Sequence, residues 1–157
     1  LCGSKLITGR YAAAWAFDGA VMKSLKDLTV DLGRLQQKCD EAMKVAPAII
    51  GNMVAQDIKA NFMRQGVQTD QGLRKWKPSE AAQKEGRRTL VKSAAMMNEV
   101  HFEVQGKTVR AGLDTRLIPY APRHNEGLKG MPQRQFIYVR KAVLRKAMDQ
   151  VENMLKK

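Results

Sequence analysis

The chain has little of what most enzymes and metal proteins are built from. Of its 157 residues only two are histidines, His101 and His124, and only two are cysteines, Cys2 and Cys39. The cysteines have neither CxxC spacing nor a histidine pair beside them, which points to no zinc site and no disulfide framework and fits a reducing compartment. No serine sits in a Gly-x-Ser-x-Gly elbow and no glycine-rich phosphate loop occurs, so the familiar signatures of acyl transfer and nucleotide hydrolysis are missing. No run approaches the roughly 20 apolar residues of a membrane helix. Aromatic residues make up 6% of the chain, and no helix-turn-helix, finger or base-stacking platform is legible, which weighs against a dedicated nucleic-acid module. These absences lead us to expect no catalytic residue, no metal, no cofactor and no membrane partner.

What is abundant is positive charge. Twenty-eight Lys and Arg stand against 15 Asp and Glu, a formal net charge of +13 that is spread along the chain without a concentrated tail. Such a surplus favours acidic partners, whether nucleic acid, an anionic surface or an acidic protein, and does not choose among them. The residues Arg87, Arg88, Lys92, Arg140, Lys141, Arg145 and Lys146 read first as a solvated face and second as a non-specific DNA contact. The nine methionines are expected mostly to fill a core.

The length suits one domain. Residues 1–21 mix small, aromatic and polar side chains without the segments of a signal peptide. They read either as a non-native extension, with Met22 as the true start, or as a native arm that docks on a neighbour through Tyr11, Trp15 and Phe17. Residues 22–157 are expected to form a single α+β domain.

Ser24 and Asp27 resemble a capping box, after which Leu28, Leu32, Leu35, Cys39 and Ala42 recur at helical spacing. A helix over residues 24–44 follows. Pro47 suits the first turn of a second helix, with Ile50, Met53, Val54, Ile58 and Phe62 as its stripe, so a bend or break is expected near Val45. Between Gln65 and Pro78 periodicity is lost and a long loop carrying Trp76 is expected. Ser79 caps a short helix through Lys84 that stops at Gly86, and another short helix is expected over residues 89–97. Val100, Phe102 and Val104 alternate with polar residues, and after Gly106-Lys107 the alternation resumes as Val109, Ala111 and Leu113, which describes an antiparallel hairpin within residues 99–113. A last amphipathic helix, residues 139–155, carries Leu144, Met148, Val151 and Leu155 on its apolar face. Helices around a small antiparallel sheet define the α+β class.

Between that hairpin and the last helix lies the densest segment. Tyr120, His124, Glu126, Gly127, Pro132, Arg134 and Phe136 crowd into it. The simplest readings are a half-buried aromatic for Tyr120, a hydrogen-bonded imidazole holding the loop for His124, and an ion pair with Arg123 or Arg134 for Glu126. Gly127 and Gly130 are assigned to turns, Pro132 to an extended approach, and Phe136 to the core. Trp76, stiffened by Pro78, reads as a core cover.

Taken in order, Asn61-Phe62, Trp76-Lys77-Pro78, Lys84-Glu85-Gly86, Thr89-Leu90-Val91-Lys92-Ser93, the hairpin, Tyr120-Ala121, His124-Asn125-Glu126-Gly127 and Pro132-Gln133-Arg134-Gln135-Phe136 resemble the phage virion morphogenesis family. These are the tail completion and head-to-tail joining proteins of tailed bacteriophages and prophages, and the resemblance runs from about Asn61 to the C-terminus. It implies a non-enzymatic virion part, located in the neck or tail and assembled in the bacterial cytoplasm. It further implies a homo-oligomeric ring, a hexamer or dodecamer, that meets neck, connector or tail-tube proteins. The alternative reading is a basic nucleic-acid-binding module. Phe62, Trp76, Pro78, Gly86, Tyr120, His124, Glu126, Gly127, Pro132, Arg134 and Phe136 are the motif and assembly-surface candidates. In one place the chain departs from the family, which has Thr/Ser-Gly-x-Leu before the hairpin where this chain has Ser93-Ala94-Ala95-Met96. Because alanine disfavours positive φ, the helix is expected to run straight through.

Overall fold

The computed structural model describes Ala16–Phe17, Ala20–Val21 and residues 25–156, with side chains from Leu28 onward. The docking contacts expected of Tyr11, Trp15 and Phe17, the start at Met22 and the Ser24–Asp27 capping box lie outside the described residues. The chain divides into two compact units, Leu1–Cys39 and Asp40–Lys157.

In the first unit β1 (Ala16–Phe17) pairs antiparallel with β2 (Ala20–Val21), and helix α1 (Leu25–Arg64) begins. The leucines that give this part of α1 its periodicity are exposed: Leu28 by 36%, Leu32 by 57% and Leu35 by 54%. A helical stripe therefore predicts a buried face that the described residues do not supply.

The second unit holds the rest of α1 and every other element. Val54, Ile58 and Phe62 recur every four residues on α1 and enter a core with Trp76, Met96, Val100, Ile118, Phe136 and Val143. Ile58, Phe62 and Phe136 are fully buried. After α1 come the hairpin β3 (Gly66–Thr69) and β4 (Gly72–Lys75), then α2 (Glu80–Lys84), α3 (Ala95–Asn98), the hairpin β5 (His101–Gln105) and β6 (Thr108–Gly112), α4 (Ala121–Glu126) and α5 (Lys141–Leu155). The architecture is α+β, with helices and separate two-stranded antiparallel sheets.

Several elements form as their residues dictate. Ser79 Oγ accepts from Ala82 N–H at 3.2 Å and caps α2, while Gly86 leaves the helix with φ +62°. In the β5–β6 hairpin Phe102 faces Ala111 and Val104 faces Val109. Phe102 lies on α1 at Gly51, where a Cβ would come within 2.2 Å of its ring. A glycine costs helix stability, and here it makes room for an aromatic ring.

Five expectations are corrected. No break occurs near Val45, since α1 runs through Pro47 as one helix of 40 residues. Proline removes one backbone donor, and Met43, whose carbonyl would have received it, is exposed. The loop expected from Gln65 to Pro78 contains the β3–β4 hairpin. Its signal was hidden because β4 is exposed throughout, and because Gly66 and Gly72 look like loop residues. Gly66 is required for pairing, as a Cβ there would meet the Arg74 carbonyl oxygen at 2.6 Å.

The helix expected over residues 89–97 is reduced to Ala95–Asn98. Leu90 and Ala94 both take positive φ, at 63° and 54°, and Ala94 is the residue before α3 rather than part of a continuous helix. The last helix keeps only part of the expected face inward, with Val151 and Leu155 partly buried. Val143 and Ala147 are buried, whereas Leu144 is 36% and Met148 66% exposed. The methionines do not mainly fill the core: Met96 is buried, while Met43, Met63, Met148 and Met154 are exposed.

Ala94 provides a direct check on the local backbone. A left-handed alanine costs about 1 kcal/mol relative to glycine, so Ala94→Gly is expected to raise stability by about that amount in urea unfolding. Unchanged or lower stability would mean that Ala94 does not hold this conformation in solution.

Candidate functional site

The segment from Gly127 to Arg140 joins no sheet, and where it buries Arg134 and Phe136 its backbone groups need partners. Side chains provide them. Asn125 Oδ1 accepts from both Phe136 N–H and Ile137 N–H at 3.1 Å, and Asn61 Nδ2 donates to the Phe136 carbonyl at 3.0 Å. Trp76 Nε1 donates to the Gln135 carbonyl at 2.7 Å, and Arg134 N–H donates to the His124 carbonyl at 2.7 Å. Arg134 Nε in turn donates to the Lys77 carbonyl at 2.9 Å.

Three rings close the arrangement. Phe62 meets Trp76 edge-on, with centroids 5.7 Å apart, and Phe136 at 5.1 Å. Motif pieces separated by up to 75 residues, Asn61-Phe62, Trp76-Lys77, His124-Asn125 and Arg134-Gln135-Phe136, thus form one interlocked knot.

Gly127 turns the chain into the knot. It has φ +73°, and a Cβ there would lie 3.0 Å from Gln133 backbone atoms. Pro132, Pro78, Gly86 and Glu126 are exposed and stand outside the knot. Glu126 does not make the ion pair expected with Arg123 or Arg134, because the Arg134 Nε is directed to a backbone carbonyl instead. Tyr120 is 41% exposed, and its ring meets the His124 imidazole edge-on at 6.2 Å.

The His124 imidazole does not hold the loop through a hydrogen bond as expected. Its Nδ1 is buried without a partner, and the backbone carbonyl of His124 makes the contact that matters. Burial holds the imidazole below its ordinary value of 6.5, with the Arg134 charge as a smaller second cause. Well above pH 6.5 the ring is neutral in folded and unfolded chains alike. As the pH falls through that value the unfolded chain takes up a proton that the folded chain resists, so stability is lost down to the lower folded value. Urea unfolding at about pH 7.5 and about pH 5.5 is expected to show this loss, and His124→Asn to remove part of it. An identical pH slope in the variant would assign the effect to other groups.

Three polar anchors carry no motif signal. Asp57, on the apolar face of α1, accepts from Arg140 Nε at 2.7 Å and also from Arg140 Nη2, and from Arg64 Nη1 at 3.2 Å. Arg140 is therefore a structural fork and not part of a solvated basic face. Gln65 clasps Thr89, accepting from its N–H at 2.6 Å and donating to its carbonyl at 3.2 Å. Asp70, in the β3–β4 turn, accepts from Lys141 N–H at 2.9 Å and so caps α5 from a distance. The one legible hint was Asp57, a carboxylate at a stripe position where burial demands a partner.

Among the described residues no cluster of His, Cys, Asp and Glu suits a metal ion, and no helix is long and apolar enough to cross a membrane. Comparison with protein-family models, with curated proteins and with solved structures finds no match.

Proposed function

We propose that this chain is a structural assembly protein of a tailed phage or prophage, one that completes the tail or joins head and neck to tail as a ring of identical subunits. The observation that carries this reading is the knot. Among the residues behind the family resemblance, Asn61, Phe62, Trp76, Asn125, Arg134 and Phe136 are engaged in packing and in satisfying backbone groups, which suits a rigid joint. Ala94 adds support: where the family pattern has glycine, this chain keeps the left-handed backbone with alanine.

A closed ring of identical subunits needs two different surfaces on each subunit. Exposed apolar side chains suited to such contacts occur on α1 at Leu28, Leu32, Leu35 and Met43, and on α5 at Leu144 and Met148. Hairpin edges offer a further means of pairing with a neighbour. Deleting the gene in the phage or prophage that encodes it is expected to leave heads and tails unjoined under the electron microscope. Intact particles from the deletion would remove the proposal.

The competing reading, a nucleic-acid-binding module, has the +13 charge in its favour. Filter binding across a salt series discriminates. Tight binding with a steep salt slope supports it, and weak, sequence-indifferent binding reports a basic surface only.

A further inference from the structure

A recess of about 210 Å³ opens between the residues around α2 and α3 and the helix α4. Its lining includes Arg87, Lys92, Arg134 and His124, together with Ser79 and Ser93. Arg134 is the unusual member, for it is only 5% exposed. Its Nε is spent on the Lys77 carbonyl, and among the described residues no carboxylate lies within ion-pair distance of its guanidinium. A buried cation without a counter-charge is costly, and proteins otherwise pair such groups.

The surroundings add to the demand. Arg87 and Lys92 both approach Glu85, at 2.5 Å and 3.9 Å, so two of the three cations in the lining share one carboxylate and Arg134 has none. Ser79 and Ser93 each accept from a backbone N–H, of Ala82 and Ala95, and keep their own hydroxyl protons to donate. The buried, unpartnered Nδ1 of His124 completes the set.

We propose that this recess binds a phosphate-class oxyanion, with Arg134 as its buried counter-charge and Arg87, Lys92 and the two serine hydroxyls around it. A tetrahedral anion with several acceptor oxygens matches cations and hydroxyls converging from different elements better than a planar carboxylate does. The same anion would offset the Arg134 charge that, after burial, disfavours a protonated His124. The inference rests on the recess alone. A chain that assembles into virions without binding phosphate overturns this inference and leaves the assembly role standing.

The test is an NMR titration of the full isotope-labelled chain with inorganic phosphate at constant ionic strength, with sodium chloride as the control. Saturable shifts of the Arg134 Nε–H and His124 ring signals are expected, and His124 should titrate at higher pH when phosphate is present. Arg87→Gln and Lys92→Gln, at the rim and away from the core, should each weaken binding by about tenfold while the spectrum stays folded. A short single-stranded oligonucleotide that produces the same shifts at lower concentration than phosphate would identify the anion as a nucleic-acid phosphodiester. Phosphate acting with the oligonucleotide inert would identify it as a free anion. Shifts no larger than those with chloride, affinity unchanged in the rim variants, or tighter binding of acetate than of phosphate would each overturn the proposal.

Discussion

Phe136→Ala is expected to lower the stability of the domain by about 3–5 kcal/mol, a large part of what a domain of this size possesses. Phe136 is fully buried and packs on Phe62, which in turn packs on Trp76. Removing the ring leaves a cavity at the centre of the knot. The neighbouring Asn61 and Asn125 side chains, whose hydrogen bonds hold the backbone at this position, limit how far the segment can collapse to fill it. Urea unfolding of the variant measures the loss. Phe136→Leu, which restores part of the volume, is expected to recover part of the stability. A cost below about 1 kcal/mol for the alanine variant would show that the segment does not lie in the core.

Asp57→Ala is expected to cost about 3–5 kcal/mol for a different reason. Asp57 is 7% exposed and receives a two-pronged contact from Arg140 and a third hydrogen bond from Arg64. Taking away the carboxylate leaves the Arg140 cation, which precedes α5, facing α1 without a partner. The diagnostic comparison is the double variant Asp57→Leu, Arg140→Leu. Removing both charges is expected to cost much less than removing the carboxylate alone, because the penalty comes from the stranded cation. A double variant whose cost equals the sum of those of Asp57→Leu and Arg140→Leu alone would mean that the pair is not coupled.

How much of this was legible in the sequence depended on whether a residue's signal was local. Ser79 and Gly86 bound α2 with local cap chemistry, and the alternation of Phe102 and Val104 with polar residues marks β5. Both could be read directly. The β3–β4 hairpin could not, because all of β4 is exposed and so carries no alternation. The inward face of α5 follows only in part from the spacing of its apolar residues, as Val151 and Leu155 are partly buried but Leu144 and Met148 are not. The small Ala147 is buried and the larger Met148 is exposed, a choice set by what packs across from the helix.

The candidate site shows the same division. Trp76, Arg134 and Phe136 stood out as unusual residues, but their roles depend on Asn61 and Asn125, which bridge 75 and 11 residues of chain. Polar side chains that satisfy a distant backbone have no periodicity to betray them. Asp70 capping α5 across 71 residues is a further case. The segment from Tyr120 to Phe136, the densest in the sequence, is crowded because a stretch of backbone that joins no sheet needs many partners.

The central claim, that the chain is a ring-forming assembly subunit, is tested most directly by native mass spectrometry of the purified protein together with electron microscopy of the same sample. The account predicts closed rings of identical subunits, formed by the protein alone or on the end of a tail or connector. A protein that stays monomeric at every concentration and joins neither tails nor connectors would contradict it.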